Sequence, residues 1–156
     1  MIAALACVLT APPCLLFVAL LGRSLGIAPA DVAGLVPATT TTGLALAMGE
    51  GMPLANQELI PLGPMVCGLT GMVLFPVYAR ITGMAGKSHF HRGFALGSVA
   101  HVSVMAGLLA AGQQEAAEAA ALAFFLFGTF RALLVKVQPF NGLLMRCCGF
   151  ESAAEE

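Results

Sequence analysis

Pro37-Ala38-Thr39-Thr40-Thr41-Thr42-Gly43 is a hydroxyl-rich break between two apolar runs, and further along it finds a companion in Arg92-Gly93-Phe94-Ala95-Leu96-Gly97-Ser98-Val99-Ala100-His101. In hydrocarbon every backbone polar group has to be satisfied within the protein. A helix-breaking polar stretch at membrane depth therefore survives only where protein or a water-filled cavity surrounds it. Such breaks mark binding sites in secondary transporters. A single threonine in a membrane helix would merely return its hydroxyl to the carbonyl one turn back. Four in succession point around a full turn, so at least one or two of Thr39, Thr40, Thr41 and Thr42 face a surface other than lipid. Pro37 and Gly43 weaken the helix on either side. A helix N-terminus freed at the break, with unpaired N–H groups and the positive end of its dipole, suits a small anion.

Composition fixes the solvent. The chain has 156 residues, of which 59% are hydrophobic and 10% charged, with a mean hydropathy of +0.92; soluble domains carry about 25% charged residues. The expected fold is an all-α integral membrane protein of about four or five transmembrane or re-entrant helices, with broken helices near the midplane. Seven basic residues are scattered along the chain and the net charge is −1, so no positive face is available for nucleic acid. The cysteine count is five, and Cys7, Cys14 and Cys67 lie in apolar runs, which supports neither a disulfide framework nor a metal site. Cys147-Cys148 follow Arg146 at a juxtamembrane position, where thiols are either palmitoylated or simply free.

The N-terminus has no basic residue ahead of its first apolar run, so Ile2 to Leu21 reads as a retained span kinked by Pro12-Pro13 rather than a secretory signal. Pro29-Ala30-Asp31 offers the start of a short second segment with Asp31 as candidate cap. Val32 to Met48 is too interrupted for an ordinary span. Leu59 to Ile81 spans with kinks at Pro61, Pro64 and Pro76. Arg80, Lys87, His89, His91 and Arg92 then make a basic connector that faces the cytosol, or the stroma in a plastid envelope. Phe94 to Ala111 and Ala119 to Val135 complete the membrane part. Arg131 and Lys136 close the last span, on the same side as the connector if both intervening segments cross. Beyond Pro139 the chain reads as a polar surface appendage.

Helical spacing puts Phe94, Gly97 or Ser98, His101 and Met105 on one face, so Ser98 and His101 point together. An ionisable residue inside a membrane segment normally faces the bundle interior. A neutral imidazole both donates and accepts, so His101 could hold a carboxylate or hydroxyl, relay a proton, or only link two helices. Gly93 and Gly97 form a G-x-x-x-G pair that could pack closely on the alanines between Ala116 and Ala123. His89-Phe90-His91 has no Cys, Asp or Glu near it and reads as polar surface rather than a metal site. No phosphate loop, nucleophile elbow or H-E-x-x-H appears; an enzyme, a cofactor and a metal are not expected.

These segments resemble the LrgB/CidB family, whose members include bacterial proteins described as holin-like or antiholin-like and the LrgB part of the plastid glycolate/glycerate translocator. The family pattern runs P-K-S-V-T-T-P-I-A, then R-G-x-A-x-G-T-A-S-H-G-x-G-T. Pro37, Thr41, Thr42, Ala45, Arg92, Gly93, Ala95, Gly97 and His101 match it, and Thr39 and Ser98 are near matches. Ala38 replaces the family's Lys, Gly43 its second Pro and Ala100 its Ser, while Val102, Val104 and Met105 stand for Gly, Gly and Thr. The likeness implies a membrane domain over 1–138, lacking the family's N-terminal spans, and a polar tail over 139–156. It further implies movement of a small 2-hydroxy- or 2-keto-monocarboxylate such as glycolate, glycerate or pyruvate, with proton coupling open. Thr39, Thr40, Thr41 and Thr42 would hold the carboxylate, Ser98 and His101 would bind the hydroxyl or relay a proton, and Arg92 would guard the cytosolic mouth. The alternatives are a holin-like regulatory protein and a subunit that acts beside a longer partner. The lipid bilayer is the expected surrounding, in a plastid inner envelope or a bacterial inner membrane, with room for an LrgA-like partner or a homo-oligomer.

Overall fold

The computed structural model describes residues 2–81, 88–99 and 102–150, and these are helical with no strand among them. Among the described residues eight α-helices follow in order: α1 Ile2–Ser24, α2 Pro29–Leu35, α3 Thr42–Gly49, α4 Leu59–Ile81, α5 His89–Val99, α6 Val102–Ala110, α7 Gln114–Lys136 and α8 Gln138–Cys148, with a 3₁₀ turn, Val36–Thr39, between α2 and α3. The number exceeds the four or five elements expected because two of the expected segments are each split into a pair of short helices and the tail adds one more.

α1 and α7 are long and apolar enough to cross a membrane. At 1.5 Å per residue a 23-residue helix measures about 35 Å, against roughly 30 Å of bilayer hydrocarbon. α7 is the central post. Its buried residues, Ala116, Ala117, Ala119, Ala120, Ala123, Phe127, Gly128, Arg131, Ala132 and Val135, point to several sides at once because helices pack around most of its circumference. On α1 the stripe Cys7, Ala11, Leu15 and Ala19, repeating every four residues, is buried, and Gly22 is buried beyond it. Its other side exposes Leu5, Leu9, Phe17, Leu20 and Leu21, and α4 likewise exposes Leu62, Val66, Leu69 and Val73.

Two short-helix pairs lie against these posts. In the first, α2 begins beside the C-terminal end of α1, where a methyl group added to Gly22 would meet Val32 at 2.9 Å. The chain turns at the threonines, and α3 comes back so that Gly51 lies beside Val135 near the C-terminal end of α7. Val32, Ala33, Val36, Ala45, Met48 and Met52 join Leu15, Ala19, Ile60, Ala132 and Val135 in one core. The helix starts two residues before the expected cap: Ala28 is the N-cap and Pro29 takes the first helical position, where its missing N–H costs nothing. Asp31 instead accepts a 2.7 Å hydrogen bond from the Asn56 side chain, tying the hairpin to the loop before α4.

The second pair, α5 and α6, sits at the other end of α7. Gly93 lies against Ala116 and Gly97 against Ala120, so α5 and α7 run in the same direction. The approach depends on the missing side chains, since a methyl group at Gly93 would stand 2.7 Å from the Ala116 Cα. α6 then returns, burying Val104 and Leu108 beside the same alanines. Its end closes on Gly112 at φ 69, with Gln113 N–H bonded to the Leu108 carbonyl at 2.9 Å and Gly112 N–H to Leu109 at 2.9 Å. That pair of bonds is the Schellman closure, which requires a left-handed residue.

The tail differs from the appendage expected. Gln138–Cys148 is a helix with Leu144 and Cys148 buried in the first core, and Asn141 donates 2.6 Å to the Gly51 carbonyl. The charge placement also differs. Arg92 bonds Gln113 immediately before α7, whereas Lys136 closes that helix, so the two lie at opposite ends of it rather than on one side. α5 and α6 do not cross; at 11 and 9 residues they reach about 16 Å and 14 Å.

Candidate functional site

The threonine break is built from its own hydrogen bonds. Pro37 ends α2's regular ladder and the chain tightens into the 3₁₀ turn. Thr40 is fully buried; its N–H and its hydroxyl both donate to the Pro37 carbonyl, at 3.0 Å and 2.7 Å. Thr41 is extended and caps α3, its Oγ1 accepting from Leu44 N–H at 3.1 Å. The expectation of a helix N-terminus at the break is met, and it is Thr41 that makes it. Thr42 and Gly43 follow in the first turn, both exposed, and nothing lies within 4 Å of a methyl group added at Gly43. Their N–H groups fall in the first turn of the helix, which has no intrahelical acceptors. Thr39 closes the 3₁₀ turn through its backbone; its side chain lies outside the described residues. Ala38, where the family pattern has Lys, packs its methyl group on α4, 2.9 Å from where a Cβ would stand on Gly63.

The shared face expected for Ser98 and His101 falls partly outside the described residues, and the rest of the second motif is held as follows. Arg92 is half-buried and its Nη2 donates to Gln113 Oε1, fastening the start of α5 to the turn before α7. Ser98 donates to the Ala95 carbonyl at 2.7 Å, which uses its proton and leaves its lone pairs. His101 lies outside the described residues; in sequence it follows the last residue of α5 and precedes the first of α6. Ser88 Oγ stands 2.5 Å from His91 Nδ1 at the start of α5. The two motifs sit along different stretches of α7: the first hairpin reaches Gly128 through Leu44, and the second covers Ala116 and Ala120.

Sequence reading missed Arg131. Expected with Lys136 to close the last span, it is instead only 3% exposed. Its guanidinium carbon lies 5.5 Å from the centre of the Phe127 ring, and the thiols of Cys7, Cys14 and Cys67 are within electrostatic reach of it. The signal was present: Ala132 to Val135 continue the apolar run beyond it, so Arg131 stands more than a turn inside the helix that Lys136 ends.

Among the described residues, two pairs of short helices held against two helices long and apolar enough to cross a membrane define an all-helical class of protein. The chain belongs to the LrgB-like family, whose sequence profile matches residues 1–139. Family membership and the two long apolar helices together point to a membrane protein of the holin-like or transport-associated kind. Neither a curated protein nor a solved structure gives a significant match.

Proposed function

We propose that this chain takes part in moving a small 2-hydroxy- or 2-keto-monocarboxylate, of the glycolate, glycerate or pyruvate type, across a membrane. One observation carries the reading: the two broken hairpins come in from opposite ends of α7, each too short to cross. The first hairpin therefore brings its break to depth, where irregular backbone is tolerated only beside protein or water. At the first break, the exposed Thr42 and the open space beside Gly43 leave room for a carboxylate at the N-terminus of α3, where N–H groups and dipole favour an anion. In this reading Thr39 and Thr42 offer hydroxyls to the substrate, while Thr40 and Thr41 shape the turn. Ser98 keeps acceptor capacity for a substrate hydroxyl, His101 relays a proton, and Arg92 lies at the outer end of the second hairpin. No bond-making chemistry is assigned.

The test is uptake of labelled glycolate and pyruvate into liposomes holding the purified chain, comparing wild type with Thr41→Val and His101→Ala. Saturable uptake that falls in both variants is the expected result. Leakage independent of substrate would replace transport by holin-like pore formation, and uptake equal to that of empty liposomes from folded protein would overturn the reading.

A further inference from the structure

The element that the proposed function does not use is α8, and its place follows from the two long helices. Cys7 and Ala11 of α1 share a core with Ala123 and Phe127 of α7, whereas Leu15 and Ala19 share the next with Ala132 and Val135. The two helices therefore run in the same direction and end on one side, at Ser24 and Lys136. α8 starts where α7 ends. Just past its last turn, a methyl group on Gly149 would meet Pro29 of α2 at 3.3 Å and the Arg23 side chain of α1 at 4.0 Å. A helix of 11 residues, about 16 Å long, with both termini at one end of the bundle lies across that end. With α1 and α7 crossing a bilayer, that is the level of the headgroups, where a short helix with one apolar face lies flat.

One face of α8 is given to the protein: Leu144 and Cys148 are buried, and Asn141 holds Gly51. The opposite face, with Pro139, Gly142, Leu143 and Arg146, is exposed. Its charge is uneven. Glu50, next to the Gly51 that Asn141 holds, belongs to the first half of the helix. At the other half two arginines meet, since Arg23 reaches over from α1 and its Nη1 donates to the Arg146 carbonyl at 3.4 Å. Both are exposed, and among the described residues neither guanidinium is paired with a carboxylate. Asp31 accepts from Asn56, and Glu151, Glu155 and Glu156 lie outside the described residues. One long contact leaves most of the Arg23 donors and all of those of Arg146 open. Guanidinium forks match phosphate oxygens two at a time, and arginine stems lie along apolar surface while the head stays at the headgroups. Leu143, 49% exposed one turn before Arg146, adds the apolar surface that an acyl chain covers.

We infer that Arg23 and Arg146 together bind the phosphate of an anionic phospholipid, from the leaflet at the C-terminal ends of α1 and α7, with Leu143 against its acyl chains. Because Asn141 of the same helix holds Gly51, the bound lipid moors the end of the first hairpin to that leaflet.

The full chain in neutral detergent is titrated with phosphatidylglycerol, or with zwitterionic phosphatidylcholine of the same chains, and the first bound lipid is followed by native mass spectrometry. Wild type is compared with Arg23→Gln, Arg146→Gln, the double variant and Arg80→Gln. Arg80 is an exposed arginine at the far end of α4, which starts from the loop that Asp31 holds and so ends on the other side of the bundle. Wild type binds phosphatidylglycerol ahead of phosphatidylcholine. An arginine near an anionic headgroup is worth roughly 5-fold in affinity, so either single variant loses about 5-fold and the double variant about 25-fold, while Arg80→Gln is unchanged. The Arg146 side chain makes no hydrogen bond or ion pair among the described residues, so Arg146→Gln reads the lipid without loosening α8. Buried Cys148 staying closed to a maleimide shows that α8 is still docked in every variant. Equal binding of the two lipids by wild type overturns the inference, as does a double variant that keeps the preference or an equal loss in Arg80→Gln.

Discussion

Replacing Gly97 by alanine adds one methyl group where α5 meets α7. That carbon would stand 2.5 Å from the Ala120 Cα and 2.7 Å from its carbonyl carbon. Carbon atoms settle at about 3.5 Å, so the helices must part by about 1 Å at this level. No side-chain rotation relieves the clash because the obstacle is backbone. A gap of that size forfeits a quarter to a half of the dispersion well for the facing atoms, and overpacking costs about 1–3 kcal/mol. With backbone as the obstacle the upper end applies, and the better helix propensity of alanine returns about 1 kcal/mol. The net loss is about 2 kcal/mol, or roughly 4–8 °C in melting temperature for a chain of this size. Gly107→Ala on α6 is the control, since nothing lies within 4 Å of its added methyl group. It should hold or raise the melting temperature. Thermal unfolding in detergent, followed with a thiol-reactive dye that reads the buried Cys7 and Cys148, measures both. Gly97→Ala melting at or above Gly107→Ala would refute the close parallel packing of α5 on α7.

Other outcomes follow from single groups. Thr41→Ala removes the cap of α3 and should cost about 1 kcal/mol in a melting experiment, whereas Thr41→Ser should be close to neutral. Thr40→Val keeps the shape but takes away the buried hydroxyl that the Pro37 carbonyl accepts from, at a cost of about 1 kcal/mol in the same assay. Burial raises the Cys148 thiol from the ordinary 9.0 up to about 12, with Cys147 adding to the rise. The fold favours the neutral thiol, so this contribution to stability is complete below pH 9.0 and is lost as pH climbs toward about 12. Cys148→Ala should flatten the fall in melting temperature across that interval; an identical fall in both chains would contradict the burial of Cys148.

Much of this fold could be read from residue order because its punctuation is chemical. Pro37, the threonines and Gly43 sit where a ladder of helix hydrogen bonds fails, and Gly93 and Gly97 at a spacing of four gave the packing on Ala116 and Ala120. The half-length of α5 and α6 was not legible, since an apolar run says how much lipid-like surface exists and not whether the chain turns back. For that reason the placement of Arg92 and Lys136 on one side failed. Arg131 was hidden by its proximity to Lys136: two basic residues near the end of an apolar run look alike until the helix is seen to continue past the first. The tail was hidden by Arg146 and the acidic residues after it, although Leu144 and Cys148 lie one turn apart and face the core together. Within the threonine run, only the structure separates Thr40, spent on Pro37, from Thr42, which is exposed.

The opposed hairpins carry the proposed function, and sidedness tests them most directly. In a chain with its cysteines replaced, single cysteines are put at Gln57, in the loop after the first hairpin, and at Gln114, at the start of α7 beside the second. Each is exposed to a membrane-impermeant maleimide from one side of oriented vesicles. Labelling of the two from opposite sides is expected. Labelling of both from the same side would contradict the arrangement and the passage built on it.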